Sequence, residues 1–367
     1  MAPRIGPSAV RRVLVACDWF LKYTAGYALG LREQGADVAL LCRTHALEFG
    51  GGAEERDVIL ERLRRAGIEI LLLPGRISSV SALPHAAGLR RAIRRWDPEI
   101  VHVQENHDPR ILLLARGFPL VYTVHDPVPH PGAPIIGGVG AAVPKAWLRR
   151  ADRVIVHGDR LRRLLPSWLP PARVAVINHG TWVRSTPLPP LEERAVLLFG
   201  RLERYKGVQV LCEAMETVWR SRPEVKLMVC GEGPAAAALP DDPRIEATIG
   251  YLPEKALDGM FARASLVVLP YLEGSQSGVG AQAVGNGVPV IVSDVGALPT
   301  LALDRSFVVR PADPQDLAAA IVRHLDDGLE VRRRTLRFAE RELLWTVLAR
   351  RGLDLYEGLL APTLAPG

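Results

Sequence analysis

The sequence predicts an α/β protein made of two Rossmann-like domains facing across a cleft. Three observations carry this expectation. Short apolar runs alternate with helix-like stretches along the 367-residue chain, the pattern of parallel sheets covered by helices. The alternation restarts after a proline-rich stretch near the middle, and the length suffices for two cores. Beyond the last strand candidate the chain turns wholly helical, which leaves its final helix free to return to the first domain.

The elements follow in order. Apolar runs predict strands at 13–16, 38–42, 68–73, 100–103, 120–124, 154–156 and 174–177, with helices at 23–34, 54–66 and 84–96 between them. Pro187, Pro189 and Pro190 break any regular element within 181–193, which reads as the linker. Strands then resume at 195–199, 225–230, 244–247, 266–269, 288–292 and 307–309. Helices are expected at 313–326, 330–340 and 344–360. The first domain is therefore expected over 1–185 together with 344–367, and the second over 186–343.

Composition narrows the class. Hydrophobic residues make up 48% and aromatics 6%, as in an α/β protein rich in Leu, Val and Ala. A formal charge of +6 fits an anionic partner or a solvated basic surface. The cations are not interleaved with stacking aromatics, which argues against nucleic acid. Cys17, Cys42, Cys212 and Cys230 lie in apolar patterns without a Cys-x-x-Cys pair, so neither disulfides nor zinc are expected. Met1-Ala2-Pro3-Arg4 opens no signal peptide, and no run approaches the roughly 20 apolar residues that span a bilayer. The reading is cytoplasmic. The basic, amphipathic stretch from Leu89 to Trp96 suits either a solvated helix face or peripheral contact with an anionic inner membrane face.

The chemistry concentrates in two loops. Gly200-Arg201-Leu202-Glu203-Arg204-Tyr205-Lys206-Gly207 joins an apolar strand to a helix. Arg201 can fork onto phosphate oxygens, Lys206 adds a point charge, and a helix N-terminus offers free N–H groups. Some seventy residues on, Glu273-Gly274-Ser275-Gln276-Ser277-Gly278-Val279 repeats the strand, glycine loop and helix order. Such loops suit a nucleotide diphosphate leaving group. Asp241-Asp242 is the one tempting carboxylate pair for a metal outside the C-terminal helices, but it lies in a Pro-flanked turn. Arg201 and Lys206, helped by amides near Gly278 and Val279, can replace a metal, so none is expected. No Gly-x-Gly-x-x-Gly follows the first strand, which disfavours a dinucleotide enzyme. His125 ends a strand and Glu273 precedes a glycine turn, positions that face a ligand crevice in such folds.

The loop from Gly200 to Gly207 resembles the donor-phosphate motif of the family 4 (group 1) retaining glycosyltransferases, which have the GT-B fold. Gly231-Glu232-Gly233-Pro234, Ile249-Gly250-Tyr251-Leu252 and the segment Gly287 to Gly296 are similar to further turns and a strand of that family. Ile100 to Gln104 and Thr123-Val124-His125-Asp126 resemble its acceptor-domain strands. The resemblance implies a metal-independent enzyme of hexosyltransferase type that needs no cofactor. It would move a sugar from a nucleotide sugar to a hydroxyl acceptor, be it a glycan, a lipid-linked or a small molecule. Arg201, Lys206, Glu273 and His125 would be catalytic. Gly200, Gly231, Gly233, Tyr251, Leu252, Ser275, Gln276, Ser277, Gly278 and Val279 would bind the donor. Lys22, Tyr23, Gly26 and Asp126 would bind the acceptor, with Gly26 offering close backbone approach and Asp126 either orienting His125 or touching the acceptor.

One departure stands out. The family's second glutamate, which holds the ribose, is Ala281 here, and the loop Ser275 to Gly278 is similar to a subgroup lacking it. A nucleotide-sugar epimerase and a non-catalytic nucleotide-sugar binder are the alternatives. The first needs carboxylates placed for proton abstraction; the second is made plausible only by Ala281.

Overall fold

A computed structural model describes residues 10–44, 53–74, 83–128, 142–185, 191, 193–252 and 254–361. Met1-Ala2-Pro3-Arg4, His130 and the linker prolines Pro187, Pro189 and Pro190 lie outside the described residues. The chain divides into two compact units.

The first unit comprises residues 1–125, 133–177 and 345–367. Its strands are β1 (Arg12–Cys17), β2 (Asp37–Arg43), β3 (Glu69–Leu73), β4 (Ile100–Gln104), β5 (Leu120–Thr123), β6 (Arg153–Val156) and β7 (Val174–Val176). They form one seven-stranded sheet in the order β3-β2-β1-β4-β5-β6-β7, every pair parallel. Its helices are α1 (Leu21–Glu33), α2 (Ala53–Arg65), α3 (Leu83–Trp96), α4 (Pro109–Leu114), α5 (Ala142–Arg150) and α6 (Asp159–Arg163). Val13 to Cys17 are buried without a break, as expected of a strand with covered faces.

The last helix, α12 (Trp345–Leu360), belongs to this unit and packs along α1. The return expected from the all-helical tail is therefore real. Trp345, Leu348, Ala349, Leu353 and Tyr356 join the core of the first unit. The hydroxyls of Tyr27 and Tyr356 meet at 2.8 Å in its interior.

The second unit holds residues 126–132 and 178–344. Its strands are β8 (Ala195–Phe199), β9 (Lys226–Gly231), β10 (Ile245–Ile249), β11 (Leu266–Leu269), β12 (Val290–Ser293) and β13 (Val308–Val309), in the order β10-β9-β8-β11-β12-β13. The helices are α7 (Val208–Ser221), α8 (Glu254–Arg263), α9 (Gly278–Gly285), α10 (Pro314–His324) and α11 (Gly328–Glu342). Residues 178–185 group here rather than with the first unit, because backbone bonds tie them down. The Thr181 amide donates to the Leu343 carbonyl at 2.8 Å and the Arg184 amide to that of Gly285 at 2.9 Å.

Each sheet reverses its winding once, between β1 and β4 and between β8 and β11. The crevice at the carboxyl ends of such strands is where ligands bind in doubly wound folds. Among the described residues no helix is long and apolar enough to cross a membrane, and the four cysteines are buried and form no disulfide.

Candidate functional site

In the second unit, glycines bring three turns together at the strand ends. Gly231 has φ 137°, and a Cβ there would collide with the Gly200 carbonyl. Gly200, at φ 106°, would place a Cβ 3.1 Å from Val279 Cγ1 and 3.4 Å from Lys206 Nζ. The turns after β8 and β9 and the first turn of α9 thus lie against one another only because these positions lack side chains. Gly233 approaches the Leu202 carbonyl in the same way.

Lys206 ends the short turn Arg204–Lys206 and is 8% exposed. Its ammonium lies 5.1 Å from the centre of the Tyr271 ring. Arg201 is exposed in the same loop. Among the described residues neither cation forms an ion pair, whereas Arg12, Arg56, Arg194, Arg222, Arg263 and Arg350 each form one.

Ser277 caps α9. Its Oγ accepts from the Gly280 amide at 3.1 Å and lies 3.1 Å from the Tyr271 hydroxyl. The amides of Gly278 and Val279 open this helix, where no intrahelical acceptor exists for them. Ser275 is buried, and Gln276 Oε1 is buried without a hydrogen-bond partner among the described residues. Glu273 is exposed on the loop before the helix. The His179 ring stands 3.8 Å from where a Gly278 Cβ would be, with Nδ1 donating to the Gly180 carbonyl at 2.9 Å.

Beside the Gly231 turn, the Gly250 amide donates to the Gly231 carbonyl at 3.0 Å. Tyr251 follows with an exposed ring, and Leu252 packs on the core of the unit. Asp242 is occupied elsewhere: Arg244 donates to it through Nε at 2.8 Å and Nη2 at 2.5 Å, holding its carboxyl down at about 2. Ala281, standing where the family has its ribose-binding glutamate, is 1% exposed and part of the core.

The first unit corrects several expectations. The helix expected from residue 23 begins at Leu21 instead, which leaves only three residues between β1 and α1. Gly26 offers no backbone to a ligand: it is buried within α1, and a Cβ there would collide with the Trp345 ring. Tyr23 is likewise buried, its ring edge-on to His125 at 4.7 Å and to Trp345 at 4.9 Å. Lys22 pairs with Glu55 of α2 at 2.5 Å.

His125 follows β5 but its imidazole does not open to solvent. It is fully buried, with Phe20 stacked on one face at 4.1 Å. Its ring nitrogens meet Gln104 Oε1 at 3.2 Å and His157 Nε2 at 3.0 Å. Gln104 and His157 orient this ring, and Asp126 groups with the second unit. The Glu105 carboxylate accepts from the His125 amide at 2.7 Å. Sequence reasoning gave His157 little weight, although it follows β6 just as His125 follows the neighbouring β5. Asp18 was passed over as well. It ends β1 at the switch point, where burial pushes its carboxyl up. Its Oδ2 accepts from the His107 amide at 2.9 Å, while Oδ1 has no partner among the described residues.

The comparisons with known proteins agree with this layout. A family described as Glycosyl transferase 4-like domain matches residues 21–180, and one described as Glycosyl transferases group 1 matches residues 193–327. The chain is 28% identical over 309 residues to a glycogen synthase of Mycobacterium tuberculosis, covering 75% of this chain and 74% of that one. A glycosyltransferase from Rickettsia africae has the same fold at TM-score 0.71 and 13% identity, over 96% of this chain and all of its own. Anabaena Alr3699/HepE, solved in complex with UDP-glucose, matches at TM-score 0.69 and 15% identity, over 94% of this chain and 99% of its own.

Proposed function

The chain belongs to the group 1 glycosyltransferases of GT-B fold, and on that premise we propose that it moves a sugar from a nucleotide diphosphate to a hydroxyl acceptor, retaining the anomeric configuration and using no metal ion. The observation that carries this reading is the buried Lys206, which has no carboxylate partner among the described residues and whose ammonium lies beside Gly200 and the start of α9. A buried charge is costly unless it is compensated. A diphosphate supplies that compensation when it binds.

In this reading Lys206 and Arg201 neutralise the charge that develops on the leaving phosphate, and the first amides of α9 donate to its oxygens. Because these groups are fixed before the reaction, they need not reorganise as the charge appears. Glu273 holds hydroxyls of the donor sugar, while Tyr251 and Leu252 border the base. The leaving phosphate oxygen takes the proton of the acceptor hydroxyl on the face it departs from, which preserves the anomeric configuration. His125 accepts a hydrogen bond from a sugar hydroxyl. The HepE complex with UDP-glucose supports a uridine diphosphate sugar as the donor class. Arg91, Arg94 and Arg95 of α3 are exposed, which supports peripheral contact with an anionic membrane bearing a lipid-linked acceptor.

The test is transfer in excess chelator, with the product anomer read from NMR coupling constants. Retention at undiminished rate is expected. Inversion, or a rate that returns only with added magnesium, would overturn the proposal.

A further inference from the structure

A buried chain of hydrogen bonds runs through the first unit from α12 to His125. Tyr27 and Tyr356 share a 2.8 Å contact, and Tyr356 Oη lies 2.5 Å from His102 Nδ1. His102 Nε2 is 2.7 Å from Thr123 Oγ1 and 3.4 Å from the Gln104 amide. The other amide atom of Gln104 meets His125 Nε2 at 3.2 Å, His125 Nδ1 meets His157 Nε2 at 3.0 Å, and His157 Nδ1 meets the Ile177 carbonyl at 2.9 Å. From this arrangement we infer that His157 and Gln104 are positioning residues that hold His125 in its Nδ1–H tautomer, so that Nε2 serves as a hydrogen-bond acceptor for a substrate hydroxyl.

The proton order follows from the one end that cannot change. A backbone carbonyl only accepts, so His157 Nδ1 carries its hydrogen. A neutral His157 then has a bare Nε2, and His125 Nδ1 must donate to it. A neutral His125 in turn has a bare Nε2, which needs a donor facing it. Gln104 Oε1 lies nearest His125 Nε2, and the amide supplies a donor there once it is turned by a half rotation that points its NH2 group at His125 and its oxygen at His102, the orientation that the network requires. His102 Nε2 then donates, and its Nδ1 accepts from Tyr356, which accepts from Tyr27. The ring nitrogens of the three histidines and the two tyrosine hydroxyls are then matched without a buried imidazolium. The opposite order requires a second proton on His125 or His157, an imidazolium shielded from water. His102 is neutral by the same physics: burial, with the nearby His157 adding to it, lowers it to about 3.

The consequence is chemical selectivity. A bare Nε2 binds a hydroxyl, which donates, and gives nothing to an ether oxygen or a fluorine, which only accept. His125 and Gln104 are both fully buried, so a hydroxyl reaches Nε2 only when the Gln104 side chain turns away and yields its place as donor. Phe20, stacked on the ring with a left-handed backbone at φ 60°, covers one face and limits approach to the ring edge. This inference rests on the role proposed above for His125, but the tautomer can be measured without any assay of transfer.

The experiment is long-range 1H–15N NMR of the full chain with labelled histidines at neutral pH, on the wild type and on His157→Phe and His157→Gln. His125 and His157 are expected as Nδ1–H and His102 as Nε2–H. His157→Phe keeps a ring but no acceptor. It should release His125 to the Nε2–H form that histidine favours in water and lower kcat about tenfold with donor KM unchanged. His157→Gln offers an oxygen acceptor and should keep the Nδ1–H signal. An Nε2–H or doubly protonated His125 in the wild type overturns the inference, and the wild-type spectrum decides this even where a variant fails to fold. An unchanged His125 signal in His157→Phe overturns it too. If the tautomers are as stated but His125→Ala transfers at the normal rate, the positioning stands and the substrate role of His125 falls.

Discussion

Lys206 holds its ammonium over the Tyr271 ring, 5.1 Å from its centre, at a site almost closed to water. The electron-rich ring face offsets part of the cost of burying the charge. It does not offset all of it, and the remainder is available to an anion. A charge kept at the expense of stability argues that this residue is retained for binding.

Loss of that charge should separate activity from stability. Lys206→Met, which keeps the stem but drops the cation, should lower turnover about a hundredfold and leave the unfolding midpoint equal or higher. Arg201→Ala, at an exposed position, should cost a similar factor in rate and nothing in stability. Steady-state kinetics and urea titration of the two variants check this. Near-normal transfer by either would refute the assignment of the diphosphate site.

Glu273 is expected to read the stereochemistry of the donor sugar. A site built to bond a hydroxyl rejects an epimer that leaves its carboxylate unpaired. Glu273→Gln should reduce the kcat/KM ratio between two epimeric donors about tenfold. A ratio unchanged from the wild type would show that the sugar is recognised elsewhere.

Ala281 faces the core, so restoring a glutamate there is not a simple gain of a ribose contact. Ala281→Glu buries a carboxylate among Val284 and its neighbours, and should cost about 3 kcal/mol or more of stability. Donor affinity should rest on base and diphosphate, so a 2′-deoxyribose donor should bind within about 1 kcal/mol of the normal one. Calorimetry with both donors, beside denaturation of the variant, tests the two statements.

Gly26 is a packing residue. Gly26→Ala drives a methyl group into the Trp345 ring and should destabilise the protein by about 1–3 kcal/mol while acceptor KM stays put. Combining it with Trp345→Phe, which shortens the ring system, should recover part of the loss. A changed acceptor KM at full stability would return Gly26 to the acceptor site.

His102 makes the fold sensitive to mild acid. Its folded value, lowered to about 3 by burial, lies below the ordinary 6.5. Between these two the unfolded chain binds a proton that the folded chain does not. Stability is therefore full above pH 6.5 and falls as the pH drops toward 3. The urea midpoint should decline from pH 7 to pH 4 more steeply in the wild type than in His102→Gln. Parallel curves would mean that the ring is not held neutral.

The strands were legible because a parallel sheet with both faces covered reads as plain apolar runs. Val13 to Ala16 and Ala195 to Phe199 could hardly be anything else. The glycine turns after β8 and β9 were legible for a similar reason: Gly200 and Gly231 are dictated by backbone geometry that only glycine adopts easily. The first unit was harder. Gly26 has the same composition signal whether it faces a ligand or a tryptophan more than three hundred residues away, and no local pattern reports such a partner. His125 could be placed at a strand end but its burial could not, since Phe20, Gln104 and His157 meet it only through the fold. The burial of Ala281 was hidden too, because the resemblance describes the residue that it replaces.

The place of α12 in the first unit bears on the order of synthesis. The second unit is complete in the chain by Leu344, whereas the core around Tyr27 needs Trp345 to Tyr356. On a ribosome adding roughly 5–20 residues each second, the part begun first is finished last. Through that interval the α1 face against which Trp345, Leu353 and Tyr356 pack stays bare to solvent. A stop codon shortly after Leu344 should therefore yield a chain that chaperones hold and proteases clear, even though every strand of both sheets has been translated.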